Sequence, residues 1–338
     1  MRRKPVPEEL LQFLRDFDHF YILGHIEPDG DCIGSQIALG LFLSRIGNSS
    51  TLVNPGPFER TEVRHFAPRF SRELPKRRSE KEAIIIVDCS TLDRIGDLAE
   101  QLDGRPVAVI DHHASGELFG DVRFVDASIP ATTLLVQAVI ETLGEAPAPD
   151  EAKMLFFGLA TDTGFFRFLD ENSGDVFQAA ARLAETGASP RETSALISSG
   201  RTFASRKLIG RLLERAKSYA GGRFILTHMT ADERSEFGKE NRDSDALYQL
   251  LLSIEGCEVI AFLREESETV CKGSLRATSE IDVGEIATHV GGGGHQKAAG
   301  FLNRASLQET SEKVIRLVTE RLESQDGYPP SATPAAQL

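Results

Sequence analysis

Five short apolar runs recur through the first half of the chain: Phe20–Leu23, Thr51–Val53, Ile84–Val87, Val107–Ile110 and Val122–Val125. Ile84-Ile85-Ile86-Val87 shows no alternation of polar and apolar residues, which predicts a strand covered on both faces. Segments with apolar residues at helical intervals lie between and after them: Ile33–Ile46, Thr132–Leu143, Glu151–Ala160 and Gly174–Glu185. Gly47 and Gly144 stand where C-terminal helix caps belong. Strands alternating with helices predict an α/β domain built on a parallel sheet. From Ser189 to Tyr219 the pattern is helical, and at Gly221-Gly222 it yields to a new strand, Phe224–Met229. The expected organisation is a first domain over residues 1–188, a helical linker over 189–220 and a smaller α/β domain over 221–323. The polar, Pro-rich stretch 324–338 is expected to be a disordered tail.

Composition narrows the class. With 338 residues, 41% apolar and 26% charged, the chain is an ordinary soluble globular protein large enough for two cores. Cys32, Cys89, Cys257 and Cys271 show no CxxC spacing and read as free thiols of a cytoplasmic protein. No apolar run approaches a membrane span, and no h-region follows the basic N-terminus. The net charge of -13 argues against a protein that coats long nucleic acid, yet allows a short substrate held in one pocket. One stretch runs against that charge: Arg201, Arg206, Lys207, Arg211, Arg215, Lys217 and Arg223 surround a single acid, Glu214. It is either a solvated helix face or a positive wall facing an anionic substrate.

The chemistry concentrates at strand ends. GHIEPDGDCIGS, Gly24–Ser35, follows the first strand and crowds His25, Glu27, Asp29 and Asp31 into one turn. Asp88 follows Ile84–Val87; Asp111, His112 and His113 follow Val107–Ile110; Asp162 ends the helix Glu151–Ala160. In a parallel sheet the C-terminal strand ends form one rim, where ligands bind. Asp88 taken alone reads as a turn former, and Asp31 or Ser35 is placed to cap the helix beginning near Ile33. Together these groups suit a divalent cation, Mn²⁺ better than Mg²⁺ because imidazoles are present. There are more donors than one ion needs, which points to two ions.

The segments GHIEPDGDCIGS, VDCS (Val87–Ser90), DHH (Asp111–His113) and TDTG (Thr161–Gly164) resemble, in order, the motifs of the DHH phosphoesterase superfamily. GGGGHQKAAG, Gly291–Gly300, resembles the signature of its DHHA1 substrate-binding domain. Within the superfamily the likeness is to the bifunctional nanoRNase (oligoribonuclease)/pAp phosphatase branch, over roughly residues 8–323. The resemblance implies one metal held by His25, Asp29 and Asp88 and a second held by Asp31, Asp88, His112 and Asp162. Asp111 would orient an imidazole, and His113 would face the phosphate. Glu27 and Cys32 fill variable positions, and Gly30 and Gly34 are expected to let the loop bend.

In the second domain Gly291–Gly294 is too glycine-rich for a packed element and fits no P-loop or Rossmann pattern. It reads as a flexible turn whose N–H groups, Gly293 and Gly294 included, approach a phosphate or base. The resemblance implies that Arg276 and His295 grip the substrate end away from the metals, with Lys297 a weaker candidate; a guanidinium fork suits phosphate.

The expected activity is manganese-dependent, two-metal hydrolysis of short RNA oligonucleotides to 5′-mononucleotides and of 3′,5′-adenosine bisphosphate (pAp) to AMP. Mg²⁺ or Co²⁺ are expected substitutes, dinucleotides are expected substrates, no membrane partner is expected, and a homodimer is allowed for. The alternatives are a linear or cyclic dinucleotide phosphodiesterase, a RecJ-like single-strand exonuclease, a manganese pyrophosphatase and a non-catalytic nucleotide-binding regulator.

Overall fold

In this computed structural model residues 4–89, 91–102, 104–113, 119–144, 146–238 and 243–325 are described. Ser90 of the VDCS segment and the tail from residue 326 lie outside them. The chain divides into two compact units, Met1–Gly200 and Arg201 onward.

The first unit is a five-stranded parallel sheet, β1 (His19–Leu23), β2 (Ser49–Val53), β3 (Glu82–Val87), β4 (Val107–Asp111) and β5 (Val122–Val125), in the order β2-β1-β3-β4-β5. The strands form where the apolar runs predicted them. Ile84, Ile85, Ile86 and Val87 are wholly buried, and each such side chain contributes about 1.5–3 kcal/mol. One face carries α1 (Glu8–Asp16), α2 (Gly30–Arg45), α3 (Thr132–Thr142), α4 (Pro149–Asp162) and α5 (Gly174–Thr186). The other is covered by Ile95 and Leu98, from the 3₁₀ segment Leu92–Gln101, together with Leu74. Helix α1 was not anticipated: EELLQFLRD is short, and only docking on the sheet buries its Leu10, Leu11, Phe13 and Leu14.

Helix α2 begins at Gly30 rather than near Ile33, and its cap is Asp29 rather than Asp31 or Ser35. Asp29 Oδ1 accepts from the N–H groups of Asp31 and Cys32, both at 3.1 Å. The glycines of this motif do not bend a loop. Gly30 and Gly34 lie in α2, pressed against α4: a Cβ at Gly34 would come within 2.6 Å of the Met154 carbonyl, and one at Gly30 within 2.4 Å of the Thr161 side chain.

The stretch read as one long helix is two, α6 (Pro190–Ser198) and α7 (Phe203–Glu214), broken by the positive φ of Gly200 and followed by strand β6 (Lys217–Tyr219). With β6, the second unit holds β7 (Phe224–Met229), β8 (Val259–Ser267), β9 (Val270–Ala277), β10 (Gly292–His295) and β11 (Ala298–Asn303), ordered β10-β11-β9-β8-β7-β6. Among the described residues of this sheet only β7 and β8 pair in parallel. One face of this sheet packs α10 (Val283–Thr288) and α11 (Leu307–Gln325), and the other packs α7, α8 (Ala231–Phe237) and α9 (Ser244–Leu252).

One expectation for this unit fails, and one alternative narrows. The glycine run forms strand β10, paired antiparallel with β11. A Cβ at Gly292 would meet the Gly300 carbonyl at 2.1 Å and one at Gly294 the Ala298 carbonyl at 2.6 Å, so these glycines permit close strand approach. The basic stretch is not a positive wall. Arg201 and Arg206 both meet Asp243, Arg211 meets Glu236, Arg215 meets Glu233 and Arg223 meets Glu258. These acids are distant in sequence, so the five arginines of the stretch are neutralised only in the fold. Among the described residues no helix is long and apolar enough to cross a membrane.

Candidate metal centre

Strand order turns at β1 and β3, where a doubly wound sheet opens its ligand crevice. His25 follows β1, Asp88 follows β3 and His112 follows β4, so three adjacent strand ends deliver three side chains to one place. Helix α4 delivers the fourth, because its last residue is Asp162. Gly158 lets α4 close on this corner: a Cβ there would lie 2.5 Å from Thr133 and 3.0 Å from Asp31.

Two imidazoles converge on Asp88. His25 Nε2 lies 3.5 Å from Asp88 Oδ2 and 3.8 Å from Asp29 Oδ1. His112 Nε2 lies 3.5 Å from Asp88 Oδ1 and 3.4 Å from Asp162 Oδ2. Each ring is held from behind by a carbonyl: His25 Nδ1 donates to Ile26 O at 2.7 Å, and His112 Nδ1 to Ile129 O at 3.3 Å. A carbonyl only accepts, so in the neutral rings the lone pair is on Nε2, aimed at the carboxylates. His25 Nε2 is buried and has no hydrogen-bond partner among the described residues.

The carboxylates are held as firmly. Asp31 caps a helix other than its own: its Oδ2 accepts from Thr132 N at 2.5 Å, and its Oδ1 from Thr133 N at 2.9 Å and Thr133 Oγ1 at 2.8 Å. Thr132 Oγ1 donates to Asp88 Oδ1 at 2.9 Å. Asp88 itself has a left-handed φ of 59°, a conformation aspartate tolerates better than most residues. Behind the His25 turn, buried Asn54 donates to His25 O at 3.1 Å, and Gln36 donates to Ile22 O and Val53 O.

Burial, and next the charge of Asp31, pushes the Asp88 carboxyl well above the usual carboxylate range. Burial, reinforced by Asp31 and Asp29, lifts Asp162 to about 8. Asp31 is also raised, chiefly by burial. Burial acts on Asp29 in the same sense, but the neighbouring His25 ring outweighs it and holds Asp29 low. Burial alone would lower His25; Cys32, Asp29 and Asp88 overcome it and raise the ring. Such a cluster favours positive charge among its oxygens, as protons or as a divalent ion.

The donor set fits an ion. Ligating atoms of Asp31, His112 and Asp162 lie within 4.8 Å of one another, as do those of His25, Cys32 and Asp88, and those of Asp88, His112 and His113. Asp88 belongs to two of these groups. The nitrogen–oxygen gaps exceed a direct hydrogen bond, as gaps between donors sharing a cation do. Burial raises the Cys32 thiol, against the pull of the adjacent His25 ring.

Asp111 Oδ1 accepts from His113 Nδ1 at 2.7 Å and from His112 N at 2.8 Å. Arg94 Nη1 donates to His113 Nε2 at 3.3 Å. A guanidinium only donates, so His113 Nε2 accepts and Nδ1 carries the proton given to Asp111. Arg94, Thr132, Thr133, Asn54 and Gln36 escaped the sequence reading. Only Arg94 left a local signal, a basic residue shortly after the Asp88 turn.

In the second unit Arg276 and His295 occupy one row of the sheet. Arg276 on β9 pairs with Ala298 on β11, and Ala298 pairs with His295 on β10. Neighbouring strands lie about 4.8 Å apart, so their backbones are separated by about 10 Å and their side chains leave the same face. The Arg276 guanidinium rests 4.7 Å from the Tyr248 ring centroid. His295 is exposed, and a Cβ at Gly293 would meet nothing within 4 Å. Lys297 is tied to Ser279 O and Glu280.

Similarity to known proteins accords with this arrangement. The family model described as the DHH family, N-terminal domain, matches residues 19–159, and the DHHA1 domain model matches residues 217–324. The chain is 32% identical over 318 residues to the bifunctional oligoribonuclease and PAP phosphatase NrnA of Thermus thermophilus, covering 91% of each. An exopolyphosphatase-related protein from Bacteroides fragilis shares the fold with a TM-score of 0.79 at 22% identity, over 94% of this chain and 97% of that one. An exonuclease RecJ solved bound to manganese gives 0.51 at 17% identity, over 98% and 96%. With both domain models in order and near full-length identity to that relative, the chain belongs to the DHH/DHHA1 phosphoesterase superfamily, a family of metal-dependent hydrolases.

Proposed function

We propose that this protein hydrolyses short RNA oligonucleotides to 5′-mononucleotides and pAp to AMP, with Mn²⁺ as its ion and Mg²⁺ or Co²⁺ as substitutes. The observation that carries the reading is the pair of carbonyl-anchored imidazoles, His25 and His112, each 3.5 Å from a different oxygen of buried Asp88. In this reading His25, Asp29 and Asp88 hold one ion, and Asp31, Asp88, His112 and Asp162 hold the other. Bound divalent ions supply Lewis-acid neutralisation of the phosphoryl charge.

The chain's own groups do the rest. Thr132 and Thr133 lock the rotamers of Asp88 and Asp31, so the oxygens need no reorganisation. Asp111 fixes the His113 ring, which faces the phosphate in this reading, and Arg94, at the ring's other nitrogen, supplies the guanidinium donors. In this reading the first unit is the catalytic one, and Arg276, Gly293, Gly294 and His295 of the second bind substrate. Releasing a 5′-mononucleotide from RNA and removing the 3′-phosphate of pAp both break the O3′–P bond, so one site serves both. The activity for which the Thermus thermophilus relative is named supports these substrates. Four buried free thiols accord with the reducing cytoplasm.

The test is a side-by-side comparison of rates on pAp, pApA, a ladder of 5′-labelled RNAs and single-stranded DNA, with each metal. Fast turnover of pApA and pAp that declines steeply with RNA length is the expected result. Processive or length-independent degradation overturns the short-substrate reading.

A further inference from the structure

The loop leaving α4 holds an aromatic ring out in solvent. Phe168 is 72% exposed, whereas Phe165, Phe166 and Leu169 beside it pack against the core of the first unit. The loop is firmly built. Phe165 and Phe166 take left-handed φ values of 57° and 68°, which bulky residues rarely adopt. Thr163 Oγ1 accepts from Phe166 N at 3.0 Å, Thr163 O from Phe168 N at 3.1 Å, and Gly164 O from Arg167 Nε at 2.8 Å. The Phe168 ring lies directly on Gly164: a Cβ there would come within 2.4 Å of a ring carbon. Gly164 stands two residues beyond Asp162, so the segment that ends at the carboxylate cluster also carries this fixed, exposed ring.

Phe168 also lines a groove of about 690 Å³, within the range of small-molecule sites. Ser128, Ile129 and Pro130 line it too, and Ile129 is the residue whose carbonyl holds His112. Through Ile129 the groove reaches the backbone directly behind the His112 ring. Its charged groups are Asp170, Asp175 and Arg182, and Arg182 is bound by both oxygens of Glu141 at 2.8 and 3.1 Å. A groove so charged repels phosphate and admits a neutral ring, above all one carrying an exocyclic amine for a carboxylate to accept.

We infer that this groove is a nucleobase subsite, with Phe168 the stacking platform for an amine-bearing base such as adenine. The inference rests on the phosphoesterase reading for its orientation: the phosphate of a nucleotide lies at the cluster while its base lies on Phe168. Stacking on an aromatic ring is indifferent to most of the base edge, which suits a site that takes mixed short RNA.

The chain contains no tryptophan, so Phe168→Trp introduces a single indole at the proposed contact. With Mg²⁺ present, AMP should quench the indole emission saturably, and ribose 5-phosphate, which has no base, should leave it unchanged. In parallel, Phe168→Ala should raise KM for pApA about tenfold and leave kcat within about twofold, since stacking serves ground and transition states alike. The proposal is overturned if AMP, at concentrations that inhibit hydrolysis, does not alter the indole emission, or if Phe168→Ala leaves KM unchanged. The two readings fail separately. A wild-type protein that hydrolyses neither pApA nor pAp sinks the proposed function, while the comparison of AMP with ribose 5-phosphate still decides the groove.

Discussion

Gly158→Ala probes how α2 and α4 are brought together at the carboxylate cluster. In an open helix the change gains about 0.8–1.0 kcal/mol, because glycine is the poorer helix former. Here the added Cβ would lie 2.5 Å from Thr133 Cγ2 and 3.0 Å from Asp31 Cα. Carbon atoms in contact settle about 3.5–4.0 Å apart, so the overlap on Thr133 is about 1 Å. Thr133 cannot yield without releasing the Asp31 carboxylate, which it binds through both its N–H and its hydroxyl. Overpacking of this kind costs about 1–3 kcal/mol, so the clash outweighs the helix gain and the variant should lose roughly 0.5–2 kcal/mol. Gly210→Ala is the control: Gly210 lies within α7 with nothing within 4 Å of an added Cβ, and it should gain about 1 kcal/mol. The larger effect should fall on turnover. A displacement of about 1 Å at a catalytic group costs about 10²-fold, so kcat on pApA should drop by that order for Gly158→Ala and be unchanged for Gly210→Ala. Urea melts and steady-state kinetics on both variants decide it. A Gly158→Ala protein as stable as its parent and equally active would refute the account of the helix contact.

Three other perturbations test separate parts of the site. Arg94→Gln should lower kcat/KM for pApA by about 10- to 100-fold and weaken inhibition by inorganic phosphate, the loss expected for a hydrogen bond to a charged group; unchanged phosphate inhibition would remove Arg94 from the phosphate site. Without metal, Asp162 titrates near 8, raised first by burial, and His25 is raised as well. A raised folded-state pKa gives stability that is full below the unfolded value and lost as pH rises, so the metal-free melting temperature should fall between about pH 4 and pH 8. Saturating Mn²⁺ should reverse that decline and release protons, read by calorimetry in buffers of different ionisation enthalpy; uptake with no proton release would contradict the ligand set. Arg276→Ala or His295→Ala should raise KM for dinucleotides while leaving hydrolysis of a small generic phosphodiester intact; equal loss on both substrates would assign these residues to the chemistry.

Local pattern alone was enough to place the first sheet and the residues at its rim. Ile84–Val87 reads as a doubly covered strand, and an Asp or His within two residues of the end of each of three strands falls on one edge of a parallel sheet. The periodicities of strand and helix are properties of adjacent residues, and so are the turns that end them. What depends on contacts between distant segments was not legible. Asp29 and Asp31 are two residues apart and equally suited to cap α2, but Asp31 is drawn away by the N-terminus of α3, 101 positions on. The glycines of the first motif looked like loop hinges because nothing in sequence announces that α4 lies against them. The GGGG run looked slack because its partner strand is needed to show that a side chain there would have no room. The arginines after Gly200 looked like a positive wall because Asp243, Glu236, Glu233 and Glu258 reach them only through the fold. A sequence carries the chemistry of each group, whereas its charge balance, its free volume and its hydrogen-bond partner are set by neighbours that only chain folding supplies.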